Sequence, residues 1–496
     1  MTTLRPRPYA MYALGLLALI NLLSYVNRSV VFALFEAIKH DLGVTDAQLG
    51  WVASAYVLVF SLAALPFGVL GDLRSRRAVI TGGVLVWSAF TVLSGVVSTF
   101  GGLLLCRAAV GLGGAAFGAA SQSLVADYFP TRGRAFAMGI LSAGITVGGV
   151  LGIWLGGRLE AAYGWRTALV AVGVPGFLLA VLSARLRDPT RSLDRLSLRT
   201  YLRDIELGLN AVARHFLPLI VAIIAGGAAA LWLSRNNDSK ADVAVFATAV
   251  AIGFAFNIRR WVLRINQVGL RAGPPGRLSG AFDELVRALG MVLRTPTLVY
   301  VFLGGALISF GMNGIVGWAP TFMSRELGLT VSQAAVLLGT WGLVAGTAGA
   351  LFGGLLADFL RRYTDTSRVL TISFGLLIGG PLAIWLLTVR DMAQFVPIFC
   401  AAFFFLSWFN GPIAAIIFDV VPARISATVA GAYLLFIHLA GDAISFPLVG
   451  ALSDRFGIST AVLVLPSVAI AGGLIVALGI RTVGRDMARV AVAAPG

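Results

Sequence analysis

The feature that most constrains this chain is a series of fourteen apolar stretches, each long enough to cross a bilayer as a helix of about 20 residues. Only 12% of the residues are charged and the mean hydropathy is +0.90, whereas a soluble domain has about 25% charged residues. A backbone in lipid must satisfy its own hydrogen bonds, and the length of these runs suits helices rather than the alternating strands of a barrel. The sequence therefore predicts an all-α polytopic membrane protein with spans at 11–35, 48–70, 78–98, 102–126, 135–157, 166–186, 215–234, 242–258, 297–320, 331–356, 367–388, 394–418, 426–449 and 459–480.

The net charge of +16 is distributed between the apolar runs. A basic balance of this size also occurs in nucleic-acid-binding proteins, but here the arginines concentrate in short connections at 71–77, 127–134 and 361–368, while 99–101 is uncharged. This alternation follows the positive-inside rule. We therefore expect no nucleic-acid partner, a multi-pass location in an inner or plasma membrane, and both termini in the cytoplasm.

Two motifs recur along the chain in the same order. G-x-L-x-D followed by arginines occurs at 68–72 and again at 354–358, a shift of 286 residues. D-x-x-P-x-R occurs at 127–132 and again at 419–424, a shift of 292 residues. Because two unrelated motifs give nearly the same shift, the chain is predicted to contain two parallel repeats.

The repeats predict a division of the chain into two bundles with an insertion between them. The insertion is basic at both ends and contains an even number of spans, so it preserves the orientation of the later helices. The predicted parts are an N-terminal six-helix bundle at 1–190, central cytoplasmic segments at 191–295 with two inserted spans at about 215–234 and 242–258, a C-terminal six-helix bundle at 296–482 and a cytoplasmic tail at 483–496.

Four short stretches resemble one family of transporters. GVLGDLRSRR at 68–77 resembles the signature loop of the major facilitator superfamily, and R-x-x-x-G-x-G at 107–113 resembles its fourth-span motif. SYVNR at 24–28 and HLAGDA at 438–443 resemble the Spinster branch, which includes exporters of lysophospholipids and sphingoid phosphates. The resemblance implies two six-helix bundles flanking a central cavity that opens alternately to each side of the membrane.

The chain departs from the family pattern at two carboxylates. Asn27 stands where the family usually has an aspartate, and Gly114 stands where it often has a glutamate. Both missing groups are of a kind that takes up protons. These substitutions argue against proton coupling through the usual site of the N-terminal bundle.

The two copies of the signature loop carry charges of both signs at helix ends. The resemblance implies that these residues act as a conformational latch of the outward-open state. The alternative is that they only cap helices and follow the positive-inside rule, since exposed ion pairs contribute less than about 1 kcal/mol. The predicted latch residues are Asp72, Arg76, Arg77, Asp358 and Arg361.

Ionisable residues are few inside the predicted spans, where each costs roughly 3 kcal/mol or more unless it faces a cavity or a partner. Arg28 lies about 8 Å from the middle of the first span, which suits a cavity-lining cation, although it can also extend to the interface. For Arg107 the sequence leaves two alternatives: it binds backbone or substrate, or it anchors its span at the membrane interface. His438 and Asp442 are four residues apart and could share a proton or form a structural pair.

Other polar and aromatic residues belong to spans that line the cavity in the superfamily, although membrane aromatics also form interfacial belts. The full predicted substrate site is Arg28, Asn27, Arg107, Asn313, Trp318, Trp408 and Asn410. The predicted proton-coupling residues are His438 and Asp442. Because an arginine in the cavity favours an anion, the site predicts an anionic or zwitterionic substrate.

Glycines recur every fourth residue on two predicted spans. This spacing places them on one helix face, where backbones can approach closely. By resemblance the two spans meet across the bundles, where sliding needs smooth contact, although static packing explains the rows equally well. The predicted packing residues are Gly144, Gly148 and Gly152 in one row and Gly342 and Gly346 in the other.

These observations favour a secondary active transporter over an enzyme. No nucleophile and base pair, paired catalytic carboxylates, metal-ligand cluster or G-x-x-x-x-G-K loop is evident, so we expect no cofactor, no bound metal and an ion or substrate gradient as the energy source. The expected partners are the bilayer, an amphiphile such as a lysophospholipid, and a proton or other ion, with the protein acting as a monomer. A small organic anion or sugar acid is the alternative substrate. A non-transporting receptor or scaffold is the alternative of another class.

Overall fold

The computed structural model describes residues 8–73, 75–129, 131–187 and 288–493, with a few short runs between 217 and 260. Residues 1–192 and 295–496 form one compact unit, and 193–294 form another. The predicted spans 215–234 and 242–258 fall largely outside the described residues. Every regular element that the structure describes is helical, which confirms the all-α prediction.

The N-terminal part of the first unit, which we call the N-half, contains six helical elements. Element α6 consists of two membrane-crossing helical segments, which are separated at Gly164, where a φ of +81° interrupts the helix. Glycine adopts this backbone conformation without the steric penalty that other residues meet. The elements are α1 (Pro8–Ala33), α2 (Phe35–Leu42), α3 (Asp46–Leu73), α4 (Arg76–Ser94), α5 (Phe100–Tyr128) and α6 (Thr131–Ser183).

The C-terminal part, which we call the C-half, is divided more finely because several spans change helical type midway. Two π-helical turns interrupt spans at Leu338–Gly342 and His438–Asp442, and 3-10 turns occur at Ser407–Phe409 and Leu478–Arg481. The α-helices are α7 (Pro296–Leu327), α8 (Val331–Leu337), α9 (Leu343–Leu360), α10 (Ser367–Leu386), α11 (Met392–Leu406), α12 (Asn410–Val420), α13 (Ala423–Ile437), α14 (Ala443–Phe456), α15 (Ile458–Ala477) and α16 (Val483–Ala493).

Helix ends follow local sequence signals. Thr330 caps α8, and the Gln333 side chain accepts a hydrogen bond from the Thr330 backbone in a capping box. Gly43 and Gly328, with φ of +63° and +65°, end α2 and α7. Eleven of the described helical stretches are long and apolar enough to cross a membrane, with α6 counted once.

Two ends of the bundle are distinguished by their charges. We call the end with the arginine-rich connections 71–77, 127–134 and 361–368 the basic end. The opposite end, where α1 is followed by α2 and where α7 ends, we call the distal end. The positive-inside rule predicts that the basic end faces the cytoplasm.

The glycine rows pack differently from the expectation stated above. In the first row, a Cβ on Gly148 would lie 2.4 Å from the Leu22 carbonyl oxygen of α1, and a Cβ on Gly152 would lie 2.6 Å from that of Val26. Gly144 likewise faces α1. This row therefore fits α6 against α1 within the N-half, and it is not the surface that meets the C-half.

The second row also packs within its own half. Ideal Cβ atoms on Gly342 and Gly346 would lie 3.3 and 3.4 Å from side-chain atoms of Phe399 and Ser407. The two spans that carry the rows do meet across the halves, but through other residues: Gly339 faces Val150, and Gly157 faces the Val331 backbone. The two spans therefore meet across the halves as expected, whereas the two glycine rows pack within their own halves, which agrees with the static-packing alternative.

Candidate substrate site and the closure of the distal end

A buried carboxylate organises the middle of the C-half. Asp442 is 0% exposed and ends the π-helical turn between α13 and α14. Ser309 and Asn313 of α7 donate hydrogen bonds to its Oδ1, the latter at 2.9 Å, and His438 Nδ1 lies 2.7 Å from its Oδ2. Since π-helical turns inside α-helices are frequent at functional sites, the local break in α-helical geometry is consistent with a site here.

Arg28 brings a positive charge from the N-half to this carboxylate. Its Nη2 atom lies 3.8 Å from Asp442 Oδ2, and its side chain is 16% exposed. The guanidinium also lies over the rings of Tyr25 and Tyr56, at 5.8 and 5.7 Å from their centroids. At 3.8 Å the two charges attract without a hydrogen bond, so the N–H donors of Arg28 are not held by Asp442.

Arg107 supports Arg28 from behind. Its guanidinium is fully buried and donates to the backbone carbonyls of Asn27, at 3.0 Å, and Arg28, at 3.3 Å. It also lies 5.5 Å from the centroid of the Tyr56 ring. These bonds fix α1 against α5, so Arg107 positions Arg28 in this arrangement and does not itself face the space between the halves.

Asn27 is turned into its own helix. Its amide donates to the Leu23 carbonyl at 2.8 Å, and the residue is 1% exposed. Its Oδ1 atom is buried and has no hydrogen-bond partner among the described residues. With no carboxylate at this position, Asp442 is the anion that the structure places beside Arg28.

We call Arg28, Ser309, Asn313, His438 and Asp442 the central polar cluster. Its members come from α1, α7 and the π turn, so five residues from three spans meet although the N-half and C-half members are hundreds of positions apart.

The remaining predicted substrate residues lie elsewhere. Trp318 is fully buried and packs on Phe35 with ring centroids 5.2 Å apart, toward the distal end. Trp408 packs against Phe405 inside the C-half, with centroids 5.0 Å apart. The Asn410 amide donates to the Ser407 carbonyl of its own segment. The structure does not bring these three residues to the central polar cluster.

Charged residues join the two halves at the distal end. Arg325, near the end of α7, donates to Glu36 Oε1 at 2.9 Å and to both carboxylate oxygens of Asp46 at 2.6 and 2.8 Å. Lys39 binds the same Asp46 at 2.6 Å. Asp46 is only 1% exposed, so its carboxylate is desolvated, whereas the other residues of this network between α7 and the α2–α3 region remain 20–31% exposed.

A second set of bonds closes the same end between α3 and α14. The Asp454 carboxylate accepts from the backbone N–H groups of Asp46 and Ala47, each at 2.9 Å. Ser453 donates to Asp46 at 2.6 Å. An anion at the first turn of α3 also interacts favourably with the helix dipole. We call Glu36, Lys39, Asp46, Arg325, Ser453 and Asp454 the distal ion cluster.

Two glycines let α3 and α14 approach closely beneath this cluster. A Cβ on Gly50 would lie 2.3 Å from the Phe446 carbonyl oxygen, and a Cβ on Gly450 would lie 2.2 Å from that of Asp46. Ser54 then donates to the Ala443 carbonyl at 2.7 Å. Any larger residue at either glycine would force the helices apart at the distal end.

Another distal ion pair stays within the N-half. Arg166 binds Asp41, and Trp165 Nε1 donates to the same carboxylate at 3.2 Å. The Arg166 hydrogen bond lowers the pKa of the Asp41 carboxyl below its usual range. This pair ties α2 to the break in α6, so α2 is held to its own bundle.

At the basic end, the described ion pairs join residues of the same half. Arg76 pairs with Asp127 in the N-half, and Asp419 pairs with both Arg361 and Arg368 in the C-half. Asp358 lies 3.8 Å from Arg368 and is largely exposed. Arg77 is exposed, and the Asp72 side chain lies outside the described residues. The repeated D-x-x-P-x-R motifs thus each supply the aspartate of an ion pair.

The distal ion cluster and the glycine pair were not predicted from the sequence. The mixed charges of segment 36–47 and the isolated Arg325 after the apolar part of α7 were visible signals. These signals did not identify the partner of Arg325, because the residues that bind it are 279 and 289 positions away in the sequence.

Comparison with known proteins agrees with this architecture. Residues 17–441 match the family model described as Major Facilitator Superfamily. Protein spinster of Drosophila melanogaster is 24% identical over 461 residues, which cover 89% of this chain and 62% of that protein. A probable L-galactonate transporter of Escherichia coli is 28% identical over 79% of this chain and 80% of its own length. The mouse sphingosine-1-phosphate transporter is 29% identical over 44% of this chain and 42% of its own length.

The fold also matches a solved structure. A bacterial homologue of the human lysosomal transporter Spinster superposes with a TM-score of 0.71 and 21% identity, covering 97% of this chain and 98% of the other. The family model, the relatives and the helical architecture agree on the same assignment. The chain is a multi-pass membrane transporter that belongs to the Major Facilitator Superfamily, in its Spinster-like branch.

Proposed function

We propose that this transporter moves an anionic or zwitterionic amphiphile, such as a lysophospholipid, by alternating access. The basic end faces the cytoplasm of an inner or plasma membrane, as the positive-inside rule predicts. In this orientation the distal ion cluster closes the outer end between the two halves. The mouse sphingosine-1-phosphate transporter among its relatives supports a lipid phosphate as substrate.

The observation that carries the proposal is the placement of Arg28. It is a partly exposed cation at the junction of the halves, 3.8 Å from its counter-ion. Its backbone is held by the fully buried Arg107. A substrate phosphate or carboxylate can form two parallel hydrogen bonds with a guanidinium, which is a stronger interaction than the long contact with Asp442.

The same geometry supports a role for His438 and Asp442 in coupling. When an anionic substrate binds Arg28, Asp442 loses part of its compensating positive charge. A proton taken up by the His438 and Asp442 pair offsets that loss, and Asn313 and Ser309 continue to hold the carboxyl group in place. Substrate and proton would thus bind interdependently at one cluster.

A small organic anion or sugar acid is the second candidate, because it presents the same carboxylate to Arg28. The probable L-galactonate transporter of Escherichia coli supports this alternative. The two candidates differ in the need for an acyl chain, which a flux measurement with both compounds resolves.

The test is substrate flux into proteoliposomes that contain the purified protein. We expect uptake of a lysophospholipid above empty vesicles, and about tenfold or greater loss of affinity in Arg28→Gln, since a hydrogen bond to a charged group contributes about 1.5–3 kcal/mol. Arg390→Gln is the matched control, because Arg390 pairs with Glu326 on the exposed distal surface of the C-half.

Each outcome discriminates between the candidates. Uptake of a sugar acid without uptake of the lysophospholipid would assign the small-anion function. Arg28→Gln with unchanged affinity and normal folding would remove Arg28 from the site. Absence of any flux with a folded, correctly inserted protein would favour a receptor or scaffold.

A further inference from the structure

A crevice opens between the halves at the distal end, away from the central polar cluster. It has a volume of about 340 Å³ and lies where α6 of the N-half passes the start of α8. Arg158 forms its N-half wall. The C-half wall consists of Ser332, Gln333, Val336, Leu337, Thr340 and Trp341. We call this space the lateral crevice.

Arg158 has no counter-ion among the residues that the structure describes. Its guanidinium lies 5.4 Å from the centroid of the Trp154 ring and is exposed. Within the described part of the chain, no carboxylate lies within ion-pair distance of it, although the protein forms such pairs at both ends. A cation at a membrane surface without a protein partner is available to an external anion.

The opposite wall supplies neutral donors. The Gln333 Oε1 atom is occupied by the Thr330 backbone N–H at 2.9 Å and by its hydroxyl at 3.1 Å. The Nε2 group of Gln333 is therefore the part of the amide left to donate into the crevice. Ser332 beside it adds a hydroxyl. These groups suit an acceptor-rich ligand such as a phosphate.

The crevice is polar at one end and apolar at the other. Arg158 is six residues before the break at Gly164, about 9 Å along the helix, and Ser332 and Gln333 stand in the first turn of α8. Val336 and Trp341 follow deeper in the span and are 39% and 50% exposed. Polar groups near the distal surface and apolar groups toward the bilayer centre match the polarity of a membrane lipid.

The two walls belong to halves that touch beside the crevice. A Cβ on Gly157 would lie 3.0 Å from the Val331 backbone, and a Cβ on Gly339 would lie 3.1 Å from the Val150 side chain. When the distal end opens, the N-half and C-half walls must separate. A ligand that contacts both walls therefore binds the distal-closed arrangement preferentially.

We infer that the lateral crevice binds the phosphate headgroup of a bilayer phospholipid between Arg158 and Gln333, and that this lipid stabilises the distal-closed arrangement. Its acyl chains lie along Val336 and Trp341. The site is separate from the transported substrate, and the inference does not depend on the identity of that substrate.

The test measures lipid binding to delipidated protein in detergent by native mass spectrometry, together with lipid-dependent thermal stabilisation. The probes are phosphatidylglycerol, diacylglycerol without a phosphate, and glycerophosphate without acyl chains. We expect phosphatidylglycerol to bind and to raise the melting temperature, and the other two to bind at least about tenfold more weakly, since each lacks one half of the recognition.

Two variants test the two walls. Arg158→Gln removes the cation. Gln333→Glu preserves the capping box of α8 but replaces a donor with a negative charge that repels phosphate. Each should weaken phosphatidylglycerol binding about tenfold or more, whereas Arg455→Gln, which removes an exposed arginine of the same end, should leave binding unchanged.

Several results would overturn the inference. Loss of binding in Arg158→Gln with full binding in Gln333→Glu would show that the lipid touches one half only. Equal binding of glycerophosphate would identify a soluble phosphate as the ligand, and equal binding of diacylglycerol would show that the headgroup is not recognised. Arg158→Lys should restore most of the binding, and failure to do so in a folded protein would also count against a phosphate site.

Discussion

Arg325→Gln is the substitution expected to shift the balance between the closed and open distal end most directly. Arg325 is the residue through which α7 of the C-half binds Glu36 and Asp46 of the N-half. Glutamine has a shorter reach and no charge, so it cannot keep both contacts. The change leaves Asp46 with Lys39 as its remaining cation, at 2.6 Å.

The free-energy cost of Arg325→Gln to the closed distal end is estimated from the burial of its ion pairs. Removing one partner of a buried ion pair costs about 3–5 kcal/mol, but the Arg325 side chain is 24% exposed and Lys39 still compensates Asp46. Solvent screening and this compensation reduce the expected cost to about 2–3 kcal/mol. That corresponds to a shift of about 30- to 150-fold in the equilibrium. If about 99% of the parent molecules are closed, roughly a quarter to three-fifths of the Arg325→Gln molecules would then be open.

The assay is the distance distribution between spin labels at His40 and Arg455, exposed positions on opposite halves of the distal end. The labels require prior replacement of the free cysteines Cys106 and Cys400. Arg390→Gln is the control, since Arg390 and Glu326 are 3.0 Å apart within the C-half and their bond does not cross the halves. We expect a longer-distance population in Arg325→Gln and none in the control.

The role of Arg325 as the link between the halves is refuted if Arg325→Gln keeps the distance distribution of the parent. It is also refuted if Arg390→Gln produces the same longer distances, because the effect would then come from a general loss of surface charge rather than from the link between the halves. A lower melting temperature alone would not support it, since that reports stability and not the position of the halves.

Three further predictions concern packing, coupling and the insertion. Gly148→Val should lower the free energy of unfolding by about 1–3 kcal/mol or more, because its side chain would meet the α1 backbone. Gly139 has open space around it, so Gly139→Ala is the control and should be neutral or slightly stabilising in the same thermal unfolding assay. Asp442→Asn should abolish uptake driven by a pH gradient in proteoliposomes, but its rate of substrate exchange should stay within about threefold of the parent rate, since exchange needs no net proton transfer. If uptake by the parent protein does not respond to a pH gradient, proton coupling is refuted. Joining residue 213 to residue 278 by a flexible linker should give a monodisperse, membrane-inserted protein in size-exclusion chromatography, and loss of that peak would contradict a dispensable insertion.

The apolar pattern determined the fold class without reference to tertiary structure. A run of about 20 apolar residues has one stable form in lipid, an α-helix, because no water is present to satisfy a broken backbone bond. The number and order of spans follow from this constraint and from the turns between them. The repeated motifs at 68–72 and 354–358 likewise revealed the family, since they are local in sequence.

The predicted residues of the central polar cluster were identified for a related reason. Arg28, His438 and Asp442 stand out because charge is costly in a span and is retained only with a partner or a cavity. The i,i+4 spacing also predicted that His438 would face Asp442, and their side chains lie 2.7 Å apart. Such short-range geometry can be deduced from helical periodicity alone.

Only the tertiary structure decided which distant residues meet. Apolar helices in a membrane are hydrophobic on nearly every side, so periodicity does not indicate which face contacts which neighbour. The pairing of Arg28 with Asp442, of Arg325 with Asp46, and the approach of α3 and α14 at Gly50 each depend on helix rotations set by the packing of the whole bundle. The sequence determined that these residues need partners, and the packing of the two halves determined which partners they have.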